Sequence, residues 1–495
     1  MTRHRLVVIG NGMAGARFVD DLLARVPADR FDVTVFGDEP HGNYNRILLS
    51  SVLAGHHSPA DILINPLSWY AARDVTLHAG LRVDEIDLRA RRVRGADGTV
   101  AEYDTLVMAT GSQPIVPRMD GLVAEGGGFR DGVFAFRTLD DCDRIMTFAR
   151  HARRVVIIGG GLLGLEAARG LLNHNIEVHV VHLMPHIMDA QLDATAGAIL
   201  QRQLADMGVQ LHFETLTTAV LGNGHVAGVA FNDGTTLECD MVVLSAGIRP
   251  NVELARRAGL RVNQGIVVGD DLGCVGTSDV HAVGECAEHR GRVYGLVAPL
   301  WEQTQVLADR LSGRVPRALY CGSRTSTRLK VAGLDVAVMG RKEPENAGDE
   351  VVSYQEPARG IYKKLIVRSD RLVGAIVMGD GAIVPSLLQV FGDGSPLDPN
   401  RAELLFPLSF STPVPSPERM PDSAQICDCN AVSKGDIIEA VMTGARGLQA
   451  VCDVTRAGTG CGSCRPEVQE IIDFACRTID APPGAPGFEL QQESV

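Results

Sequence analysis

One local pattern occurs twice in these 495 residues: an apolar run, a glycine-rich turn, apolar residues at helical spacing, then a second apolar run. The first copy is RLVVIGNGMAGARFVDDLLARV, followed by FDVTVFGDE; the second, about 150 residues later, is RRVVIIGGGLLGLEAARGLLNHNIEVHVV. Strand, turn, helix and strand within about 35 residues make a βαβ unit. Each turn fits GxGxxG in the required place, after a strand and opening a helix: Gly10, Gly12 and Gly15, then Gly159, Gly161 and Gly164. Only glycine lets backbone come close to a pyrophosphate, whose charge then sits at a helix N-terminus. The fold class is therefore α/β with two Rossmann-like dinucleotide-binding domains. The length suits about three domains, and 45% hydrophobic against 22% charged residues suits a chain that folds into cores.

The two copies differ after their second strand. The first ends in Asp38-Glu39, and either acid can accept hydrogen bonds from ribose hydroxyls; Glu39 is the favoured one. The second ends at Val181-His182, without a carboxylate. His182 tolerates a 2′-phosphate or is incidental, so the choice between NADH and NADPH stays open. Further strands ending in turns occur at YDTLVMATGSQP (103–114), MVVLSAGIRPN (241–251) and VHAVGECAE (280–288). From Tyr320 to about Gly392 alternating apolar residues predict a small mostly-β domain with a helix. STPVPSPERMPDSAQ then reads as a stiff linker, and PPGAPGFELQQESV as a frayed tail.

Cysteine placement marks the C-terminal end as a different object. Five of the 11 cysteines are spread over the first 426 residues, and six fall within 427–476. Cys427 and Cys429 form CxC, Cys461 and Cys464 form CxxC, and 31 residues separate the pairs. Four thiolates in two close pairs suit an iron–sulfur cluster or zinc, and CxC is unusual for zinc. Gly458, Gly460 and Gly462 let amides approach the sulfurs, and the helix start at Pro466-Glu467 favours a net-negative cluster. Cys452 and Cys476 read as packing residues. A net charge of −13 without a basic block argues against nucleic acid. No apolar run approaches the ~18 residues of a membrane span, and MTRHRLVVIG leads straight into a short strand, so a cytoplasmic protein is expected.

The order GNGMAG, ATGSQP, GGGLLGLE, SAGIRPN, VGECAE resembles the flavoprotein reductases with two dinucleotide-binding domains. The resemblance implies FAD at the first site and NAD(P)H at the second, with hydride passing between stacked rings. Carried over by position, Thr110 and Gly111 line the flavin. The Gly284-Glu285 strand holds FAD, with Glu285, where most members have Asp, on the ribityl chain, and Arg137 of FRTLDD touches the FAD phosphates. Glu166, near the nicotinamide amide, is the catalytic position. Arg46 and Gly247 join the cofactor-binding set. Oxygenase-coupled relatives carry a lysine where Ser51 stands here, so an ion pair beside the flavin is not implied. Disulfide reductases of this fold carry a redox pair shortly after the first ribose acid; this chain has no cysteine before Cys142, which removes a thiol relay.

TRAGTGCGSCRP resembles the bacterioferritin-associated-ferredoxin-like domain, which holds a 2Fe–2S cluster. VYGLVAPLW, RLKVAGLDV, GIYKKLIV and PDSAQICDCNAVSKGDIIEAVMTGARG, with the motifs above, resemble the FAD/NAD(P)H electron-transfer part of assimilatory nitrite and nitrate reductases over about residues 5–480. The nitrite reductases continue into a sirohaem and 4Fe–4S domain whose cysteines are not found before Val495. The resulting division is an FAD domain at 1–140 and 248–318, an NAD(P)H domain at 141–247, a small α+β domain at 319–400, a linker at 401–424, an iron–sulfur domain at 425–480 and a tail at 481–495. The expected activity is an NAD(P)H-dependent reductase passing single electrons through the cluster to a separate nitrate or nitrite reductase subunit or other acceptor, with the linker letting the cluster shuttle. A homodimer fits the same reading. Two alternatives stand beside it: a ferredoxin or oxygenase reductase, and a non-catalytic iron–sulfur or zinc sensor that docks to a partner.

Overall fold

In the computed structural model the described residues are 3–331, 334–406, 417–418, 420–427, 430–459, 462 and 464–479. The first pattern folds as β1 (His4–Ile9), α1 (Met13–Leu23) and β2 (Phe31–Gly37), and is extended by β3 (Val75–Ala79) and β4 (Thr105–Met108). The chain then runs through β5 (Val133–Ala135) and α2 (Leu139–Ala149) into the second pattern: β6 (Arg154–Ile158), α3 (Leu162–Leu172) and β7 (Glu177–Val181). After α4 (Ala194–Asp206), β8 (Gln210–His212) and β9 (Met241–Leu244), it returns in β10 (Val280–Ala282) and α5 (Val297–Ser312).

Two five-stranded sheets result, β10-β4-β1-β2-β3 and β5-β9-β6-β7-β8, and every pairing in them is parallel. Leu6, Val7 and Val8, and likewise Val155, Val156 and Ile157, are buried. Such unbroken apolar strands belong to sheets covered on both faces. β5 pairs with β9, so the chain enters the second sheet before residue 141, the boundary expected from the sequence.

The small domain is an antiparallel sheet, β11 (Ser326–Val331), β12 (Leu334–Gly340), β13 (Glu350–Glu356), β14 (Ile361–Arg368) and β15 (Arg371–Met378), ordered β11-β12-β15-β14-β13. It is backed by α6 (Val384–Asp393) and α7 (Ala402–Leu405). Leu405 is buried in that domain's core, so residues 401–406, counted above with the linker, belong to the small domain instead. Residues 407–416 and 419 of the expected linker, and the tail expected at 481–495, lie outside the described residues.

The second sheet's core continues into Tyr44, Leu49 and Leu53 of the first domain and Val336, Tyr362 and Ile376 of the small one. The first three domains thus share apolar contacts. The C-terminal helices α8 (Lys434–Met442), α9 (Leu448–Thr455) and α10 (Arg465–Ile479) close around a core of their own. No described helix is long and apolar enough to cross a membrane.

Candidate functional site

The two glycine turns are built alike. Gly10 has φ +114°, and a Cβ there would stand 2.1 Å from the Ala109 carbonyl oxygen; one on Gly15 would stand 2.0 Å from the Gly10 oxygen. Gly159 and Gly164 repeat this against Ser245 and Gly159, at 2.1 and 2.0 Å. The protein's own packing therefore requires the outer glycines. The middle ones, Gly12 and Gly161, are different: a Cβ on either would meet no atom within 4 Å. Each caps its helix without a side-chain hydrogen bond, and neither first turn holds an acid. Unfilled space in front of uncapped amides fits the phosphates of a dinucleotide.

A cavity of about 1590 Å³ opens at the first turn. Its wall includes Gly10, Gly12, Glu39, Arg46, Thr110 and Gly111, with Arg137, Gly284 and Glu285 from later segments and Glu166 from the second domain. Glu39 pairs with Arg46 and accepts from the Tyr44 hydroxyl at 2.6 Å, and Arg46 also donates to the Arg137 carbonyl at 2.9 Å. Asp38, the neighbouring acid, also lines the cavity, and burial raises its carboxyl above the usual range.

Arg137 pairs with Glu285 and donates to Ser112 Oγ at 2.8 Å; Ser112 in turn donates to Glu285. The buried Nε of Arg137 has no acceptor among the described residues. A buried guanidinium N–H left over in a cavity wall fits an anionic ligand oxygen. Gly284 donates its amide to Gln303 Oε1 of α5 at 2.8 Å, and Gln303 Nε2 is left without a partner among the described residues. Ser51 Oγ meets His57 Nδ1 at 2.7 Å.

The second site lies at the C-terminal edge of β6 and β7. Gly160 donates its amide to His182 Nδ1 at 3.1 Å, and His182 Nε2 meets Asp189 Oδ1 at 3.0 Å. Gly159, Gly161, Gly164 and His182 gather around this turn, and Gly247 accepts from the Ile115 amide at 2.9 Å; none of them lines the cavity, whose wall Leu162 and Glu166 of α3 reach. Gly15 lies under the first turn.

Two of the four predicted cysteine ligands, Cys427 and Cys464, line the same cavity as Gly12 and Glu285. Cys429 and Cys461 lie outside the described residues. Asn430 ties the two cysteine-bearing loops together: its Nδ2 donates to the Arg456 carbonyl at 2.7 Å and to Thr459 Oγ1 at 3.2 Å, and lies 3.9 Å from Cys427 Sγ. Cys452 is buried beside these loops, and burial raises its thiol pKa. Cys142, Cys239 and Cys274 are buried thiols pushed up to about 12, so they stay protonated at neutral pH.

Ser112, Gln303 and Asn430 were not legible as site residues in the sequence. Ser112 stood inside the quoted ATGSQP and Asn430 beside Cys429. Neither carries a charge or a spacing that marks it as a site residue, and Gln303 is found only through the backbone amide it accepts.

The pyridine nucleotide-disulphide oxidoreductase model matches residues 4–306, the rubredoxin NAD+ reductase C-terminal model matches 326–391, and the BFD-like 2Fe–2S binding domain matches 425–473. The chain is 41% identical over 95% of its length to an NAD(P)H nitrite reductase of Bacillus subtilis (strain 168), covering 58% of that protein. It is 39% identical over 99% of its length to the assimilatory nitrate reductase electron transfer subunit of the same organism, covering 62% of it. The chain thus spans about three-fifths of these relatives. A rubredoxin-NAD(+) reductase of Alcanivorax borkumensis is 31% identical, with 76% of this chain and 95% of that one covered. Among solved structures, the ferredoxin reductase for the CYP199A2 system of Rhodopseudomonas palustris superposes with a TM-score of 0.73 at 25% identity, over 83% of this chain and 99% of that one.

Proposed function

The chain belongs to the pyridine nucleotide-disulphide oxidoreductase family, and on that premise we propose that it carries electrons from NAD(P)H to a separate nitrate or nitrite reductase catalytic subunit. It is an NAD(P)H-dependent oxidoreductase whose cofactors are FAD, NAD(P)H and a 2Fe–2S cluster. The observation that carries the reading is the cavity of about 1590 Å³, whose wall joins the first glycine turn, Glu166 of the second domain and the cysteines Cys427 and Cys464. FAD, when bound, accepts a hydride and gives up its electrons singly, which a one-electron cluster requires.

The protein's own groups bind and orient. The Gly10–Gly15 turn and the α1 amides would hold the FAD pyrophosphate, and Glu39, held by Arg46 and Tyr44, keeps lone pairs for ribose hydroxyls. Arg137, Thr110, Gly111, Gly284 and Glu285 would line the rest of the FAD site. Gly159, Gly161, Gly164, His182 and Gly247 would hold the nicotinamide nucleotide, with Glu166 facing its amide. Cys427, Cys429, Cys461 and Cys464 would ligate the cluster. No side chain need act as acid or base toward the hydride.

The division into an FAD domain (1–140 and 248–318), an NAD(P)H domain (141–247) and an iron–sulfur domain (425–480) belongs to the same proposal, with the first boundary moved before β5. So does a cytoplasmic location. The test is turnover of the purified holoenzyme with NADH or NADPH and, separately, purified nitrate and nitrite reductase catalytic subunits. Reduction of nitrate or nitrite that needs both proteins supports the proposal; NAD(P)H oxidation that neither partner accelerates contradicts it.

A further inference from the structure

Among the described residues, polar contacts at its cysteine end seat the C-terminal domain. Arg328 of β11 donates through Nη1 to both carboxylate oxygens of Glu467, at 3.2 and 3.4 Å, and the two side chains are only 18% and 21% exposed. Glu467 is in the first turn of α10, just after Cys464. Arg17 of α1 lies over the Trp301 ring, 5.3 Å from its centroid, and donates to the Asn430 carbonyl at 3.5 Å. Arg456, next to the CxxC loop, donates to the Ile64 carbonyl of the first domain at 3.0 Å. Among the described residues the domain's apolar core is separate from the cores of the other domains. A body held by an ion pair and backbone acceptors can leave without exposing a large apolar seam.

In this pose Cys427 and Cys464 are 2% and 5% exposed and line the cavity of the first glycine turn. The described part of the cysteine end is therefore turned toward the flavin site and covered from an outside partner. We propose that this is the electron-loading pose, held by a polar latch of Arg328 with Glu467, Arg17 with Asn430 and Arg456 with Ile64, and that the latch opens for delivery. The inference rests on the function proposed above. One hydride from the nicotinamide supplies two electrons; they cross the latched contact one at a time, a one-electron acceptor empties the cluster between them, and one proton leaves to solvent.

The test uses full-length holoenzyme mixed anaerobically with NAD(P)H, following flavin bleaching and cluster reduction separately. Hydrogen exchange at residues 63–65 and 465–472 is measured on the oxidised protein without NAD(P)H. Arg328→Glu and Glu467→Arg each slow cluster reduction about five- to thirtyfold, because each reversal replaces the pair by two like charges at a partly buried contact, while flavin bleaching is unchanged. Both single variants exchange faster at the two segments. The double swap restores the cluster rate and the protection, which a merely structural role for either residue would not. Added salt slows loading in the parent protein and speeds exchange. Unchanged cluster reduction in the single variants, or a double swap that restores neither readout, overturns the latch. If NAD(P)H fails to bleach the parent flavin, the functional reading fails, while exchange still reports on the latch.

Discussion

At the residue scale the three glycines of one turn have separate jobs, and substitutions divide them. Gly10→Ala places a Cβ 2.1 Å from the Ala109 oxygen at a φ of +114°, so the fold bears the cost, about 1–3 kcal/mol from conformation alone. Gly12→Ala meets empty space and leaves the flavin-free protein within about 0.5 kcal/mol of the parent, yet it fills the approach to the α1 amides. Thermal unfolding of flavin-stripped protein, set beside flavin per chain after reconstitution, separates the two: Gly10→Ala loses stability, Gly12→Ala loses flavin. Asn430→Ala removes the donor that joins Arg456 to the Cys427 loop, and iron retention against a chelator falls about 10–100-fold. The glycines were legible because their spacing is their chemistry. Asn430 was not, because its role depends on a carbonyl 26 residues away in the chain.

At the element scale, both βαβ units were readable from apolar runs and turns, whose signals are local. What joined the elements was less readable. Asp193 caps α4 and also accepts from Lys364 Nζ at 2.8 Å and from the Tyr362 hydroxyl at 2.6 Å, both on β14 of the small domain. Burial alone would raise this carboxyl, but the hydrogen bonds from Lys364 and Tyr362 outweigh it and hold the group below the usual carboxylate range. A carboxylate with a depressed folded pKa stabilises above its unfolded pKa, about 4, and that contribution is lost as pH falls through the folded value. The urea midpoint of Asp193→Asn is therefore lower than that of the parent at pH 6, by about 2 kcal/mol in stability, and the gap closes on acidification below about 4. A gap that does not narrow as pH falls below about 4 contradicts the pairing. The α7 helix was also hidden, since the prolines that begin shortly after it dominated the composition of that stretch.

At the scale of the whole molecule, the glycine turns and the late cysteines announced two nucleotide sites and a metal domain. Their convergence on one cavity did not follow from either. It depends on the small domain sharing a core with the second sheet, and on arginines at positions 17, 328 and 456 reaching across domains. Spacing along the chain carries no record of such contacts.

The claim that electrons enter at the nucleotide sites and leave through the cysteine domain is tested most directly by adding NAD(P)H anaerobically to the purified protein, recording its visible spectrum and then its electron paramagnetic resonance. The flavin is expected to bleach and the signal of a reduced 2Fe–2S cluster then to appear, with bleaching kept and the signal lost in Cys464→Ser. Protein that bleaches its flavin but holds only zinc, or an iron cluster that NAD(P)H never reduces, would contradict it.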